Sequence, residues 1–268
     1  MASQASPGEV FYPSIDLEPT TECPLKCRSC DRFYLENRYE TRTLAEPILQ
    51  KIKALAGRCG ELNIGGWGDP LQYPGVYDLI RHFTVPGGRV HLTTTGLGIS
   101  SRIALELIDT GVDTIRFRLA GATFDTHDAI RGKGTFEAAT SAMRLVAMQR
   151  KERNKPAIVA DYLLTPSSLP QMSQLMMLCT TLGVDRVEPC HLHHMVARGQ
   201  EKFITYSIWG KKHGWQTMKA RVTGIFSGIP IKMPRMNEEA VPVCPENPVE
   251  KLFIAADGTV SPCAYLNP

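Results

Sequence analysis

VFYPSIDLEPTTECPLKCRSC, residues 10–30, runs from an extended, β-branched and aromatic stretch straight into three cysteines. Their spacing, Cys23-x3-Cys27-x2-Cys30, puts three thiols into eight residues. A strand that ends in a ligand cluster is how α/β folds build sites, because the loops after parallel strands converge on one side of the sheet. Thiolates select soft metals, chiefly zinc and iron–sulfur clusters. A structural zinc site closes with four ligands, and the nearest further candidates in sequence are Cys59 and His82. Three thiols on a four-iron cluster leave one iron open to an exogenous chelator. That favours an iron–sulfur site acting on a substrate, with a zinc module as the alternative.

Outward from this stretch the chain alternates strand and helix. Extended segments recur at ELNIGG (61–66), RVHLTTT (89–95), VDTIRFRLA (112–120), AIVADYLLT (157–165) and VDRVEPC (184–190). Helical patterns lie between them: LAEPILQKIKALAG (44–57), SSRIALELIDTG (100–111), TFEAATSAMRLVAMQRKE (135–152) and SLPQMSQLMMLCTTLG (168–183). Serines at 100 and 168 suit N-caps, and Gly111 and Gly183 suit helix stops. Repeated β–α units imply parallel strands with right-handed crossovers. The expected fold class is α/β: a partial (β/α)6 TIM-like barrel over residues 8–235, with a doubly wound sheet as the alternative. IPIKM (229–233) is a candidate further strand. Residues 236–268 read as a small C-terminal β-hairpin extension turning at Asp257-Gly258.

The 268 residues are 43% hydrophobic and 21% charged, enough apolar material for a sizeable core. A net charge of +3 without a basic stripe points away from nucleic acid. The first residues have neither a charged nor an apolar signal region, and no run approaches a membrane span, so a cytoplasmic protein is expected. Eight cysteines in such a chain read as metal-binding or catalytic thiols, not as a disulfide framework. Cys59 and Cys179 are most simply buried small hydrophobes.

Three further stretches stand at strand ends. GGWGDPLQYPG (65–75) follows the second strand, HLTTTGLGIS (91–100) ends the third, and LAGATFDTHDAIRGKGTFEAA (119–139) follows the fourth. Together with Cys23, Cys27 and Cys30, in this order, they resemble the radical S-adenosylmethionine (radical SAM) superfamily from about residue 10 to 190. The resemblance implies that the three cysteines hold a [4Fe–4S] cluster and that the amino and carboxylate groups of SAM chelate the fourth iron. One electron then cleaves SAM, and the 5′-deoxyadenosyl radical abstracts a substrate hydrogen. It further implies that Gly66, Gly68 and Asp69 border the SAM amino group, and that Thr95 and Arg131 contact its ribose and carboxylate. A reductant such as flavodoxin or ferredoxin is implied as partner, and a peptide or small molecule as substrate.

Two departures mark this chain. Ser29 stands where the family has an aromatic residue, and Arg118-Leu119-Ala120-Gly121 replaces Ser-x-Asp-Gly. Arg118 therefore either rebuilds the SAM pocket or serves an anionic substrate. His191 and His193, on one face at the end of the sixth strand, are candidates to position substrate or exchange protons, with packing as the alternative. Near the C-terminus, Cys244-x13-Gly258-x4-Cys263 resembles the opening of the SPASM/Twitch extension, which binds auxiliary [4Fe–4S] clusters. Two thiolates leave a second cluster short of ligands, so this segment is expected to be incomplete, to recruit Cys190 or nearby histidines, or to keep a free cysteine. The expected reaction is oxidation or cross-linking of a peptide or small metabolite. The alternatives are an epimerase with a cysteine hydrogen donor and a non-catalytic metal-binding module.

Overall fold

A computed structural model describes residues 11–34, 40–84, 88–150, 153–192, 200–203, 211–234 and 250–264. Six parallel strands carry the fold: β1 (Tyr12–Leu17), β2 (Cys59–Ile64), β3 (Arg89–Thr94), β4 (Thr114–Leu119), β5 (Ala157–Leu163) and β6 (Arg186–Cys190). Five fall inside segments that the residue pattern marks as extended, and β2 begins two residues before its segment, at Cys59. The connecting helices are α1 (Glu46–Lys53), α2 (Val76–Phe83), α3 (Ser101–Asp109), α4 (Phe124–Arg131), α5 (Thr135–Arg150), α6 (Met172–Leu182) and α7 (Lys211–Ser227). Ser100 Oγ accepts from the Ile103 amide at 3.4 Å and Gly183 closes α6 at φ 71°, whereas Ser168 does not cap α6: its Oγ accepts from the Thr165 amide at 2.8 Å, and α6 begins after Gln171.

With the two C-terminal strands β7 (Lys251–Ile254) and β8 (Val260–Ser261) included, the sheet order is β6-β5-β4-β3-β2-β1-β7-β8. From β1 to β6 consecutive strands are neighbours and the order does not reverse, whereas a doubly wound sheet needs a switch point within such a run. The partial TIM-like barrel is therefore the arrangement adopted. β7 and β8 form the C-terminal hairpin. β7 lies parallel to β1, with Ile15 opposite Leu252 and Leu17 opposite Ile254, so the hairpin continues the barrel sheet. Residues 229–233 contribute a single bridge, Ile231 to Val187, instead of a strand. Pro230 accepts there from the Val187 amide but has no N–H to extend the ladder.

Alternation along the strands sorts two faces. Ile15, Leu17, Leu62, Ile64, Val90, Leu92, Ile115, Phe117, Ile158, Ala160 and Tyr162 are buried beneath the helices and form the core. The opposite face is polar. Asn63 Nδ2 donates to Ser14 Oγ at 3.0 Å and to Asp16 Oδ1 at 2.9 Å, and Lys251 pairs with Asp16 at 2.7 Å. Arg116 and Arg186 meet Glu188 at 2.5 and 2.6 Å. A closed barrel fills this interior with packed apolar side chains; here it is a polar lumen.

The hairpin turn is pressed onto α1. Gly258 has φ +87°, and a Cβ there would lie 2.7 Å from Ile48 Cδ1. Gly258→Ala is expected to cost about 1–3 kcal/mol. Amide exchange should quicken in β7 and β8 while β3 to β5 keep their protection.

Candidate active site

The carboxyl ends of β1 to β6 all point the same way, and the loops after them enclose a cavity of about 310 Å³. Cys23, Cys27 and Cys30 line it, together with Gly66, Gly68, Asp69, Thr95, Arg118, Arg131 and His191. The residues singled out along 23–191 of the sequence thus meet in one place. His193 and Cys244 lie outside the described residues. Cys263 is buried at the end of the hairpin, where Ser261 Oγ donates to its carbonyl at 2.8 Å.

The cysteine loop is fixed by backbone acceptors. Arg32 donates to the carbonyls of Thr21 at 3.2 Å and Leu25 at 2.9 Å, and the Cys30 amide donates to Cys27 O at 3.0 Å. The end of α4 clamps the loop from the other side: the Arg28 amide donates to Ile130 O at 2.8 Å. The three thiols are unpaired by disulfides. Burial pushes Cys23 and Cys27 up, opposed for Cys23 by the Leu25 amide and Arg32, and for Cys27 by Arg131. Such thiols become thiolates when a metal supplies the compensating charge.

The glycine loop packs against this segment so closely that side chains are excluded. A Cβ on Gly68 would stand 2.7 Å from Glu22 O, and one on Gly66, at φ +111°, would stand 2.6 Å from Glu18 Cγ. The Asp69 amide donates to Glu22 O at 2.8 Å. The Asp69 carboxylate, 2% exposed, accepts from Thr94 Oγ1 at 3.0 Å, from the Thr95 amide and hydroxyl at 2.9 and 2.6 Å, and from the Leu71 amide at 3.1 Å. Asp69 thereby ties the β2 loop to the end of β3, with its acceptor sites filled by the protein.

Glu18, which the residue pattern does not single out, completes this junction. Its Oε1 accepts from the Trp67 amide at 2.6 Å. Burial raises its pKa against the pull of the Trp67 and Ala256 amides, so one buried carboxyl joins the glycine loop to the C-terminal hairpin. Asp161 on β5 is likewise not singled out by the residue pattern, and Cys190 on β6 is offered there only for the second cluster, yet both line this cavity.

Arg131 ends α4 beside the cysteines, with a guanidinium nitrogen 3.9 Å from Cys27 Sγ. Its Nε is buried with no hydrogen-bond partner, a vacant donor of the kind an anionic ligand group satisfies. Among the described residues no three ligating side chains converge as the ligands of a single ion would. Thiols spread around a cavity fit a cluster whose irons are each held by one cysteine. The donor set and the vacant guanidinium donor therefore fit a [4Fe–4S] cluster with SAM.

His127 holds this arrangement from behind. It is 1% exposed, its Nδ1 accepts from the Ala120 amide at 3.2 Å, and burial, with Arg131 nearby, lowers its pKa to about 3. The unfolded chain binds a proton at His127 below about pH 6.5 and the folded chain does not, so stability falls on acidification. Between about pH 6.5 and pH 4.5, urea midpoints of the wild type should fall more steeply than those of His127→Gln, with a difference approaching 1.4 kcal/mol per pH unit. Separately, Asp69→Ala leaves buried donors unmatched. It is expected to cost about 2–4 kcal/mol in denaturant unfolding and to weaken SAM binding in equilibrium dialysis.

Comparison with known proteins agrees with this geometry. Residues 17–160 match the Radical SAM superfamily. The AdoMet-dependent heme synthase of Oleidesulfovibrio alaskensis is 26% identical over 281 residues, covering 93% of this chain and 69% of that protein. The PqqA peptide cyclase of Streptomyces rochei is 27% identical over 175 residues, covering 64% of this chain and 46% of that one. The crystal structure of Streptococcus suis SuiB bound to S-adenosylmethionine shares the fold, with a TM-score of 0.73 at 16% identity, over 96% of this chain and 61% of SuiB. The chain thus spans between about half and two thirds of these relatives. With the cysteine loop, the glycine loop and the barrel in place, the chain belongs to the radical SAM superfamily.

Proposed function

We propose that Cys23, Cys27 and Cys30 hold a [4Fe–4S] cluster, and that the chain uses SAM to modify a peptide or small metabolite by hydrogen abstraction. The observation that carries this reading is the meeting of three unpaired thiols, the backbone of Gly66 and Gly68 and the vacant Arg131 donor in one cavity. When bound, the cluster supplies the electron that cleaves SAM to methionine and the 5′-deoxyadenosyl radical, which takes a hydrogen atom from substrate. Arg131 receives the SAM carboxylate. The backbone of Gly66 and Gly68, with Asp69 fixing the loop, borders its amino group. Thr95 stands near the ribose. The surrounding loops exclude water, which would otherwise quench a radical.

Oxidation or cross-linking is the leading outcome. The name of the PqqA peptide cyclase supports a peptide substrate for this chain. Electrons enter from a flavodoxin- or ferredoxin-type donor in the cytoplasm. Among the described residues no helix is long and apolar enough to cross a membrane. Cys263, with Cys244, is offered as part of an auxiliary cluster that accepts the substrate electron. One observation favours a second reading, epimerisation. The Cys190 thiol lines the cavity, and burial and the neighbouring Asp161 carboxylate hold it well above the usual thiol range, hence protonated. It can return a hydrogen atom to a substrate radical, and the resulting thiyl is restored by one external electron and a proton.

Anaerobically reconstituted protein with dithionite and SAM should yield 5′-deoxyadenosine, and the Cys23/Cys27/Cys30→Ala variant should yield none. Tetrahedral zinc without SAM cleavage would leave only a metal-binding module. Iron and sulfide counts on the same variant test the hairpin cysteines, since about four irons remaining means an auxiliary cluster. In deuterated solvent only an epimerase incorporates one deuterium at the reacting carbon.

A further inference from the structure

Besides the exposed Arg89–Glu61 pair, the inner face of the sheet carries three sets of opposite charges, and they differ in closure. Lys251 meets Asp16 at 2.7 Å, and Glu188 is held between Arg116 at 2.5 Å and Arg186 at 2.6 Å. The third pair stands directly across β4 and β5, where Arg118 is in register with Asp161. It is open: Arg118 Nε lies 3.8 Å from Asp161 Oδ2, and Arg118 is the most exposed charged side chain of the three sets, at 39%. It also makes a long contact, 3.4 Å, to Gly66 O. Of the three sets, only Arg118 and Asp161 line the cavity shared with Cys23, Cys27 and Cys30.

A closed ion pair supports a fold; here the pair is parted, Arg118 holding a long contact to Gly66 O and Asp161 the Cys190 thiol, so both keep hydrogen-bonding capacity for a ligand. The guanidinium offers a planar fork of donors suited to a carboxylate. An anion alone would draw Arg118 away and leave the Asp161 carboxylate facing the Cys190 thiol without a cation, which is costly in a partly buried site. A cation alone would strand Arg118 in the same way. A ligand carrying both charges, a few ångströms apart, satisfies both. SAM has such a head group, but in this family its amino and carboxylate groups chelate the open iron, and Arg131 stands beside the cysteines to receive it.

We propose that Arg118 and Asp161 form a zwitterion receptor that takes the ammonium and carboxylate of an α-amino acid, so that the substrate is a free amino acid or a small metabolite with an intact amino-acid head. This rests on the reading of the cavity as the place where substrate meets the cluster. It narrows that reading from peptides and metabolites to one class.

The test is calorimetry on reconstituted, SAM-loaded protein with each of the twenty free L-amino acids, and with the N-acetyl and methyl-ester forms of any that bind. At least one free amino acid should bind, and capping either charge should weaken it about ten- to a hundredfold. R118Q should lose its discrimination against the methyl ester but keep that against the N-acetyl form; D161N should do the reverse. R118K should recover part of the carboxylate preference. The inference is overturned if no free amino acid binds the wild type, or if capped forms bind as well as free ones. It also fails if R118Q loses SAM affinity, since Arg118 would then belong to the SAM site. The capped ligands decide the matter on the wild type even if a variant misfolds. 5′-Deoxyadenosine formation, assayed alongside, shows whether the radical SAM reading stands when the receptor does not.

Discussion

The amide of Asp69, donating to the carbonyl of Glu22 at 2.8 Å, joins the loop after β2 to the loop that carries the cysteines. That contact exists only because Gly68 has no Cβ to collide with the Thr20 and Glu22 carbonyls. The same Asp69 turns its carboxylate the other way and gathers Thr94 and Thr95 from the end of β3. One residue therefore sets the spacing of three strand ends, and the cavity is the space left between them. The clamp of Ile130 O on the Arg28 amide closes it from the fourth.

The polar lumen follows from the openness of the barrel. A sheet that does not close on itself leaves its inner face accessible, and charged side chains there keep contact with solvent or with one another. Lys251 and Asp16 show how the hairpin shares in this, since β7 adds its own cation to the face begun by β1. Glu18 reaches the Ala256 amide from the same edge, so the hairpin and the glycine loop are read by a single carboxyl. The catalytic end and the C-terminal segment are thus mechanically continuous through β1.

Much of the fold was legible because strands and helices here carry clean periodicities. Where it was not, the pattern was present but unread, or it misled. α2 has Val76, Leu79, Ile80 and Phe83 on one buried stripe, a short signal that begins directly after the glycine-rich motif. α7 inverts the usual rule: Ala220 is buried while Trp215, Ile225 and Phe226 are exposed, so its apolar residues do not mark its packed face. Of the site, the cysteines and the glycine loop announce themselves, because metal ligation and tight turns demand particular residue types at fixed spacing. Asp161 and Cys190 did not, because a single acid or thiol on a strand has meaning only beside its neighbours.

By itself the sequence determined the alternation of strands and helices, the soft-metal character of the CPLKCRSC loop and the order of the four motifs, all consequences of local spacing. The tertiary structure alone decided which strand ends converge. It joined the hairpin to β1, occupied the Asp69 carboxylate with threonine donors, and left Arg118 and Asp161 parted over the cavity while Arg116 and Glu188 closed. Those outcomes depend on register between residues far apart in the chain, and register is set by packing, not by neighbours in sequence.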